Sequence, residues 1–423
     1  MKKAFIISVI FCMVMLACKK NDSNPTNGTV EGTIINTQGG ASLASANIEF
    51  FNAIDNSPTS YSTSSGADGK YSISITAGTY LIMISKQGYN SVPPIGIIAV
   101  PVVITAGVKT IASYQMVASS VSNAGYVTGR VLDGSTPKSG VLTIVSGNGS
   151  TFSGTTNTNG NFTIYNIPAG SYSVKGYLAS YNSTSVNISV TQNTKAITAD
   201  IVLSSGATGA VSGNVGFLAT NNIDVDVSLV IPGTNSTIPG LTVRTSGGTY
   251  SMSHVPNGTY IARASWSNDN KVVDPDWILK NGEAYVTINS NSVILNFSLT
   301  GAVQINSPSN ALTTTIPFDV STITPAFSWN PYSSSDYYVI EVMDMNGATV
   351  WGGISGIPLT RKVMVAKTQT TVTYNFDGTG QPLQNGRTYR WRIYASKDDS
   401  GQPLGWKLIS ASEEQMGLFN VKL

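Results

Sequence analysis

The amino-acid sequence predicts an all-β fold made of tandem antiparallel β-sandwiches, and three observations support this. Charged residues make up 11% of the chain, well below the roughly 25% of an average soluble protein. Apolar and hydroxyl residues alternate in short segments such as YSISIT, which begins at Tyr71, and this period of two is typical of a half-buried strand. A phrase with two glycines, each followed by an aromatic residue, occurs three times: ADGKYSISITAGTY at 67–80, TNGNFTIYNIPAGSY at 158–172 and SGGTYSMSHVPNGTY at 246–260.

The first residues predict export and lipid attachment. Two lysines precede an apolar run at 4–17, which has the pattern of an export signal and is too short to span a bilayer. The run continues into MLAC at 15–18, which resembles a bacterial lipobox and implies cleavage before Cys18 and acylation of its thiol. We therefore expect a lipoprotein signal peptide at 1–17 and a polar tether at 18–27. An ordinary secretory signal with an incidental cysteine is the alternative.

Cleavage there would determine the charge of the mature chain. The 24 basic residues fall to 22 when Lys2 and Lys3 are removed, which equals the 22 acidic residues. Such a chain is not expected to bind nucleic acid, because phosphate binding needs clustered Lys and Arg. Cys12 would be lost and Cys18 acylated, which leaves no pair for a disulfide. Acyl chains, at about 0.8 kcal/mol per buried CH₂, would hold the protein on the membrane.

Landmark glycines divide most of the chain into three units. The last glycine of the repeated phrase is Gly78, Gly170 or Gly258, and the spacings of 92 and 88 residues indicate complete small domains. The Asp-Gly, Asn-Gly and Gly-Gly pairs that begin the phrase predict tight hairpins with positive φ. In the turns IPAG and VPNG we expect the glycine to be left-handed and to close the turn.

These landmarks, in this order, resemble the carboxypeptidase regulatory-like family. The opening V-x-G corresponds to Val30 and Gly32, the DG-x-Y hairpin to 68–71, and the turn with its following strand to 167–174. The resemblance implies three prealbumin-like β-sandwiches. We place them at 28–118, 124–205 and 208–301.

The sequence pattern changes after residue 301, which predicts a fourth domain at 302–423. Aromatic and apolar residues again alternate there, which indicates strands of a second kind of sandwich. The pattern resembles the fibronectin type III family, in which the hydroxyl of a corner tyrosine bonds back to the preceding turn. The residues that carry the resemblance are Leu383, Gly386 and Tyr389, together with Trp329 and Trp406.

Reactive groups are too few to predict an enzyme. The single histidine, His254, has no identifiable partner to orient it as a general base, and no hydrolase, zinc or nucleotide motif is present. We expect no catalytic residue and no cofactor.

Paired oxygen ligands raise the alternative of calcium binding, but none of them extends into a calcium loop. Turn formation explains them, so no metal site is predicted. The pairs are Asp224 with Asp226, Asp274 with Asp276, and Asp344 with Asn346.

The third unit carries the best candidate for ligand binding. The stretch SWSNDNKVVDPDWILKNGEAY, which begins at Ser265, places aromatic rings among amide and carboxylate groups, a combination typical of glycan sites. The second unit has the plainer YLASYNSTS there, and loops that vary on a constant scaffold often carry binding. The alternative is that the tryptophans belong to the core. The candidate residues are Trp266, Trp277, Tyr285 and Asp276.

Together the patterns predict a non-catalytic, lipid-anchored protein of the cell envelope, built as a structural or adhesive rod of β-sandwiches. The resemblance to bacterial lipoproteins with such domains implies an outer-membrane address with exposure at the cell surface. The expected partners are the membrane, through the anchor, and a glycan or a surface protein. A carbohydrate-binding accessory lipoprotein is the alternative function, because fold alone does not determine function.

Overall fold

The computed structural model describes residues 26–423 apart from short gaps. These gaps lie at 37–38, 54–56, 94–98, 100, 120, 122, 218–223, 235, 266–270, 282, 311–316, 345–347, 386 and 414–415. The predicted signal peptide, Cys18, Trp266 and Gly386 therefore lie outside the described residues. The described part contains forty strands and one helix of seven residues, which confirms the all-β prediction.

The first sandwich packs two sheets around one apolar core. Its strands are β1 (Asn27–Asn36), β2 (Asn47–Asn52), β3 (Pro58–Ser64), β4 (Lys70–Thr76), β5 (Gly78–Lys86), β6 (Tyr89–Val92), β7 (Val102–Ile104), β8 (Lys109–Ile111) and β9 (Tyr114–Met116). One sheet has the order β4-β1-β8, with β9 also on β1, and the other has the order β3-β2-β5-β6, with β7 on β5. Val30 and Ile48 are fully buried between them, as the alternation predicts.

The second sandwich repeats this arrangement. Its strands are β10 (Gly125–Asp133), β11 (Thr136–Pro137), β12 (Leu142–Gly147), β13 (Ser150–Thr155), β14 (Asn161–Ile167), β15 (Gly170–Tyr177), β16 (Asn182–Ser183), β17 (Val186–Val190), β18 (Lys195–Ile197) and β19 (Ile201–Ser204). The sheets have the orders β11-β10-β19-β16, with β14 and β18 on β10, and β13-β12-β15-β17. Val127 and Val174 are buried in the core between them.

The third sandwich follows the same plan and adds a helix. Its elements are β20 (Gly209–Phe217), β21 (Asp226–Val230), β22 (Thr237–Arg244), β23 (Thr249–Val255), β24 (Gly258–Ser265), β25 (Lys271–Val273), α1 (Pro275–Asn281), β26 (Tyr285–Ile288), β27 (Ser292–Ile294) and β28 (Phe297–Gly301). One sheet has the order β23-β20-β28-β25, with β27 on β20, and the other β22-β21-β24-β26.

The last sandwich has a different topology and a core rich in tryptophan. Its strands are β29 (Ile305–Ser307), β30 (Phe318–Val320), β31 (Ala326–Trp329), β32 (Tyr337–Asp344), β33 (Thr349–Gly352), β34 (Ile354–Ser355), β35 (Thr360–Arg361), β36 (Met364–Ala366), β37 (Thr371–Thr373), β38 (Thr388–Asp398), β39 (Trp406–Ala411) and β40 (Leu418–Val421). A sheet β29-β31-β37 faces a sheet β30-β40-β38-β32-β33 that also carries β36 and β39, and β34 pairs with β35. Trp329 and Trp391 are buried between the sheets. The hydroxyl of Tyr389 accepts a hydrogen bond from the N–H of Gln384 at 3.0 Å.

Each of the first three sandwiches contains a parallel strand pair, which the alternation did not predict. β1 runs parallel to β8, β10 to β18 and β20 to β27. The returning chain passes so close that a Cβ added at Gly32 or Gly213 would lie 1.9 Å from the carbonyl oxygen of Ala112 or Leu295. The glycine of the V-x-G landmark is therefore required by a close backbone approach.

The glycines of the repeated phrase have positive φ at all three hairpin positions, but at the later landmark the φ is positive at Gly170, with 157°, and not at Gly258. Gly69, Gly160 and Gly248 have φ of 74°, 73° and 75°, as expected for tight hairpins. The prediction of a left-handed glycine in VPNG is wrong, because the φ of Gly258 is not positive. A Cβ at Gly258 would instead lie 2.7 Å from the Tyr260 hydroxyl, so this glycine makes room for a tyrosine ring.

Candidate recognition surface

Part of the predicted glycan-binding stretch forms the helix α1. The side chain of Asp274 caps this helix by accepting a hydrogen bond from the N–H of Asp276 at 2.9 Å. Pro275 suits the first helical position because it has no N–H to satisfy, and Asp is a preferred cap. Within the described residues no helix is both long and apolar enough to cross a bilayer. The cap fixes the directions of the next two side chains, Asp276 and Trp277.

Trp277 points towards the core of the third sandwich. It is partly buried against that core, and its ring centroid lies 6.4 Å from that of Phe297 at an angle of 61°. Edge-to-face contacts of this kind add to the stability gained by burying the ring. Trp277 therefore has a packing role, which is the alternative that the sequence left open.

Asp276 points towards the last sandwich. Its Oδ1 lies 3.3 Å from the Nζ of Lys407, and that ammonium group also lies 3.2 Å from Asp399. The hydrogen bond to Asp399 is the main reason that the pKa of Lys407 is raised. The carboxylate of Asp276 is thus part of an ion-pair network that joins two sandwiches.

Tyr285 is the predicted site residue with an exposed ring. It begins β26 and is 56% exposed. It lies on the outer face of its sheet, because side chains alternate along a strand and the next residue, Val286, is in the core. An ion pair joins Arg263 of the neighbouring strand β24 to Glu283, which lies just before β26. The structure therefore separates the candidates: Tyr285 faces solvent, whereas Trp277 and Asp276 hold other parts of the chain.

The remaining titratable candidates contact protein groups near them, either within their own turn or on a neighbouring segment. The Nδ1 of His254 lies 2.8 Å from the hydroxyl of Ser253. Asp224 accepts a hydrogen bond from the N–H of Gly247 at 2.8 Å, and Asp344 accepts one from Ala348 at 3.0 Å. Within the described ranges, no group of three or more His, Cys, Asp or Glu side chains could hold a metal ion.

A surface that the sequence analysis missed joins the second and third sandwiches. Leu142 and Ile144 lie on the outer face of β12, and each is 4% exposed because it packs into the core of the third sandwich. The ring centroids of Tyr177 and Tyr260 lie 6.2 Å apart, and the two ring planes are at an angle of 84°. The run VLTIV at 141–145 was the available signal, since a strand buried on both faces is continuously apolar rather than alternating.

Hydrogen bonds surround this apolar contact. The N–H of Ala179 donates to the carbonyl of Pro239 at 3.0 Å. The ammonium group of Lys175 donates to the carbonyl of Asn257 at 3.0 Å, and its pKa is lowered by burial. The second and third sandwiches therefore share one packed and hydrogen-bonded joint.

The third and last sandwiches meet without an intervening linker. Gly301 ends β28, and its carbonyl accepts a hydrogen bond from the hydroxyl of Ser410 at 2.6 Å. The N–H of Val303 donates to the carbonyl of Ala411 at 2.9 Å.

An open cleft of about 380 Å³ lies on the last sandwich beside this joint. Tyr332 lines the cleft, and its hydroxyl lies 2.8 Å from that of Thr300 in the third sandwich. Asp336, Lys367 and Lys397 add charged groups to the lining. The cleft is therefore polar and lies at a point where two domains meet.

Residues 29–109 match the carboxypeptidase regulatory-like domain family. This span runs through β1 to β8 of the first sandwich. The first sandwich thus matches this domain family, and the second and third share its sheet order and landmark glycines. No curated protein matches the chain.

Several solved structures of bacterial proteins are similar to the chain at low sequence identity. The TIE protein of Bacillus anthracis is 14% identical, with a TM-score of 0.18, and the match covers 65% of this chain and 51% of that protein. The chain therefore matches about half the length of that protein. The minor pilin GBS52 of Streptococcus agalactiae is 16% identical, with a TM-score of 0.22 and coverages of 44% and 100%. The shaft pilin spaA of Lactobacillus rhamnosus GG is 10% identical, with a TM-score of 0.20 and coverages of 41% and 98%.

Proposed function

We propose that the protein is a non-catalytic, lipid-anchored component of the outer membrane, whose three regulatory-like sandwiches form a rod that presents the last sandwich at the cell surface. The observation that carries the proposal is the docking of successive sandwiches. Leu142 and Ile144 of one sandwich are buried in the core of the next, whereas freely linked domains would leave such side chains in water. Sandwiches docked in this way keep fixed positions relative to one another, which suits a spacer.

The ion pairs of the described residues agree with such a role. Lys407 and Asp276 hold the last sandwich against the third, with side-chain exposures of 16% and 21%. Partly buried pairs are screened less by salt than pairs in open solvent. The last sandwich would therefore be held in one orientation relative to the rod, with its cleft in a constant position.

The anchor is tested by replacing Cys18 with Ser in the full-length chain expressed in a Gram-negative host. We expect the wild type to incorporate a labelled fatty acid and to sediment with membranes, and Cys18→Ser to lose both. Cys12→Ser is the matched control and should behave as wild type. Equal labelling of wild type and Cys18→Ser would contradict the lipid anchor.

Glycan binding is a second candidate function, supported by the exposed ring of Tyr285 beside the ion pair of Arg263 and Glu283. Aromatic side chains present a large rigid surface at a small entropic cost, which favours their use in recognition. We expect the soluble chain 19–423 to bind members of a glycan array and Tyr285→Ala to abolish this binding. Phe318, 47% exposed on the last sandwich, provides the control Phe318→Ala. Equal binding by wild type and Tyr285→Ala would exclude Tyr285 as the glycan contact.

A further inference from the structure

The three copies of the repeated phrase differ in length by one residue. From the second to the third landmark glycine there are nine positions in the first copy, Gly69 to Gly78, and ten in the other two, which end at Gly170 and Gly258. In the first sandwich, β1 and β4 pair without interruption. The extra residue of the later copies therefore has to be accommodated within a strand.

It is accommodated as a β-bulge. The register of β10 with β14 shifts between Val127 and Gly125, and that of β20 with β23 shifts at the corresponding point, between Val211 and Gly209. The bulges contain Asn166 and His254, both with φ of 62°. Bulges bend a strand and redirect its side chains, so a single insertion changes one end of the sandwich.

Both bulges contact the preceding sandwich at the same place. The side-chain Oδ1 of Asn166 accepts a hydrogen bond from the N–H of Gly88 at 2.8 Å. The backbone carbonyl of His254 accepts one from the N–H of Ser180 at 2.8 Å. Gly88 and Ser180 both lie in the tight turn that follows the long central strand, β5 or β15, and both have positive φ, 83° and 73°.

The first contact has a second hydrogen bond. The amide group of Asn166 also donates to the carbonyl of Tyr89, across the same turn of the first sandwich. One side chain thus satisfies a donor and an acceptor of a turn on another domain. Turn and bulge are complementary in hydrogen bonding as well as in position.

We propose that this turn-to-bulge contact is the recognition element by which one regulatory-like sandwich docks onto another, and that its partner is the tight turn of a second sandwich of the same kind. The inserted residue makes a sandwich able to dock. The first sandwich has the turn but no bulge in its β1–β4 pair, so it can receive a neighbour and cannot itself dock onto one. It is therefore built to be the terminal member of the array.

Deletion of Asn166, which restores the spacing of the first copy, tests the proposal. The chain 19–423 contains no cysteine, so spin labels can be placed at Val108→Cys and Val202→Cys, two positions that are 50% and 46% exposed in the first and second sandwiches. We expect a narrow distance distribution in the otherwise unchanged chain and loss of the narrow peak after the deletion. Amide protection in β12 and β15 should persist. A preserved peak, or loss of protection throughout the second sandwich, would overturn the proposal.

Two glycine substitutions provide a matched pair that keeps the bulge, because glycine accepts positive φ without strain. Asn166→Gly removes the side chain that bonds the turn, whereas His254→Gly keeps the carbonyl that does so. We expect Asn166→Gly to broaden the distance between the first and second sandwiches. His254→Gly should leave unchanged the distance between the second and third, measured from Val202→Cys to Ile294→Cys. The opposite pattern, or no effect of Asn166→Gly, would show that the bulge does not direct docking.

Discussion

At the scale of single residues, one tyrosine of the repeated phrase closes the same turn in each of the first three sandwiches. The hydroxyls of Tyr80, Tyr172 and Tyr260 each donate to the carbonyl four residues earlier, at 2.9, 3.0 and 2.9 Å. Burial raises the pKa of Tyr260 far above its ordinary value, so its hydroxyl stays protonated and remains a donor. The tyrosine of the repeated phrase is therefore a core residue whose hydroxyl also stabilises the turn before it.

Tyr260→Phe should remove this hydrogen bond while keeping the ring. The carbonyl of Pro256 would lose its partner in a buried place, and we expect a loss of about 1–3 kcal/mol in local stability. The loss is measured as faster hydrogen exchange of the amides of β23 and β24, detected by mass spectrometry. Tyr285→Phe is the control and should leave exchange unchanged, because that ring is exposed. Equal exchange in Tyr260→Phe and wild type would show that the bond adds no stability.

We expect Glu49 to make the contact between the first and second sandwiches sensitive to pH. Its pKa is raised above 4.5 mainly by burial, and its charge also raises the pKa of Tyr165 in the second sandwich. A raised carboxyl pKa means that the folded form binds a proton more readily than the unfolded form, so stability increases as pH falls from neutral towards 4.5. The ionised carboxylate is the destabilising form.

Glu49→Gln should therefore stabilise this joint at pH 7 and remove its pH dependence between pH 7 and 4. Limited proteolysis of the connection at 118–124 at the two pH values measures the effect. Glu31→Gln, in the same sandwich, should keep the dependence of the wild type. Cleavage of wild type that is equally fast at both pH values would rule out a role for Glu49 at the joint.

At the scale of elements, α1 shows that a local signal was present but was not used. The stretch VVDPDWILKN contains an Asp-Pro pair, which is typical of a helix cap followed by the first helical position. Its aromatic and carboxylate groups led instead to the prediction of a glycan site, and no helix was expected there. Its surroundings then directed Trp277 inward and Asp276 towards Lys407.

Asp274→Ala should fray α1, because the cap would lose its acceptor. Such substitutions cost about 0.5–2 kcal/mol. We expect faster hydrogen exchange of the amides of α1, measured by mass spectrometry, and a smaller contact of Trp277 with the core. Asp274→Asn retains a capping oxygen and should exchange nearly as slowly as the wild type. Identical exchange in Asp274→Ala and Asp274→Asn would argue against the cap.

At the scale of the whole molecule, Lys407 connects the helix of the third sandwich to the last sandwich. Lys407→Met should widen the distribution of distances between spin labels at Ile294→Cys and Phe318→Cys, whereas high salt should widen it much less in the wild type, because a partly buried pair is screened only weakly. The pKa of Asp399 is lowered, first by the N–H of Gly401 and then by Lys407. The stability that the ionised Asp399 carboxylate gives to the joint is therefore present above about pH 4 and is lost as pH falls through that lowered pKa.

Lys422→Met is the matched control for this joint. Lys422 pairs with Asp319 at 2.9 Å, but the two side chains are 73% and 49% exposed, and exposed pairs of this kind contribute little. We expect it to leave the label distances unchanged. Equal distributions in Lys407→Met and Lys422→Met would show that the joint is held by other contacts.

Local patterns in the amino-acid sequence were enough to predict the all-β class and the repeated hairpins, because alternation and glycine pairs act over a few neighbouring residues. Gly69, Gly160 and Gly248 adopt the positive φ that their dipeptides require. Only the tertiary structure decided which outer faces are covered, as at Leu142 and Ile144. It also separated Tyr285 from Trp277 and Asp276. These outcomes depend on contacts between residues far apart in the chain, whose free energies arise from packing and ion pairing that no local pattern contains.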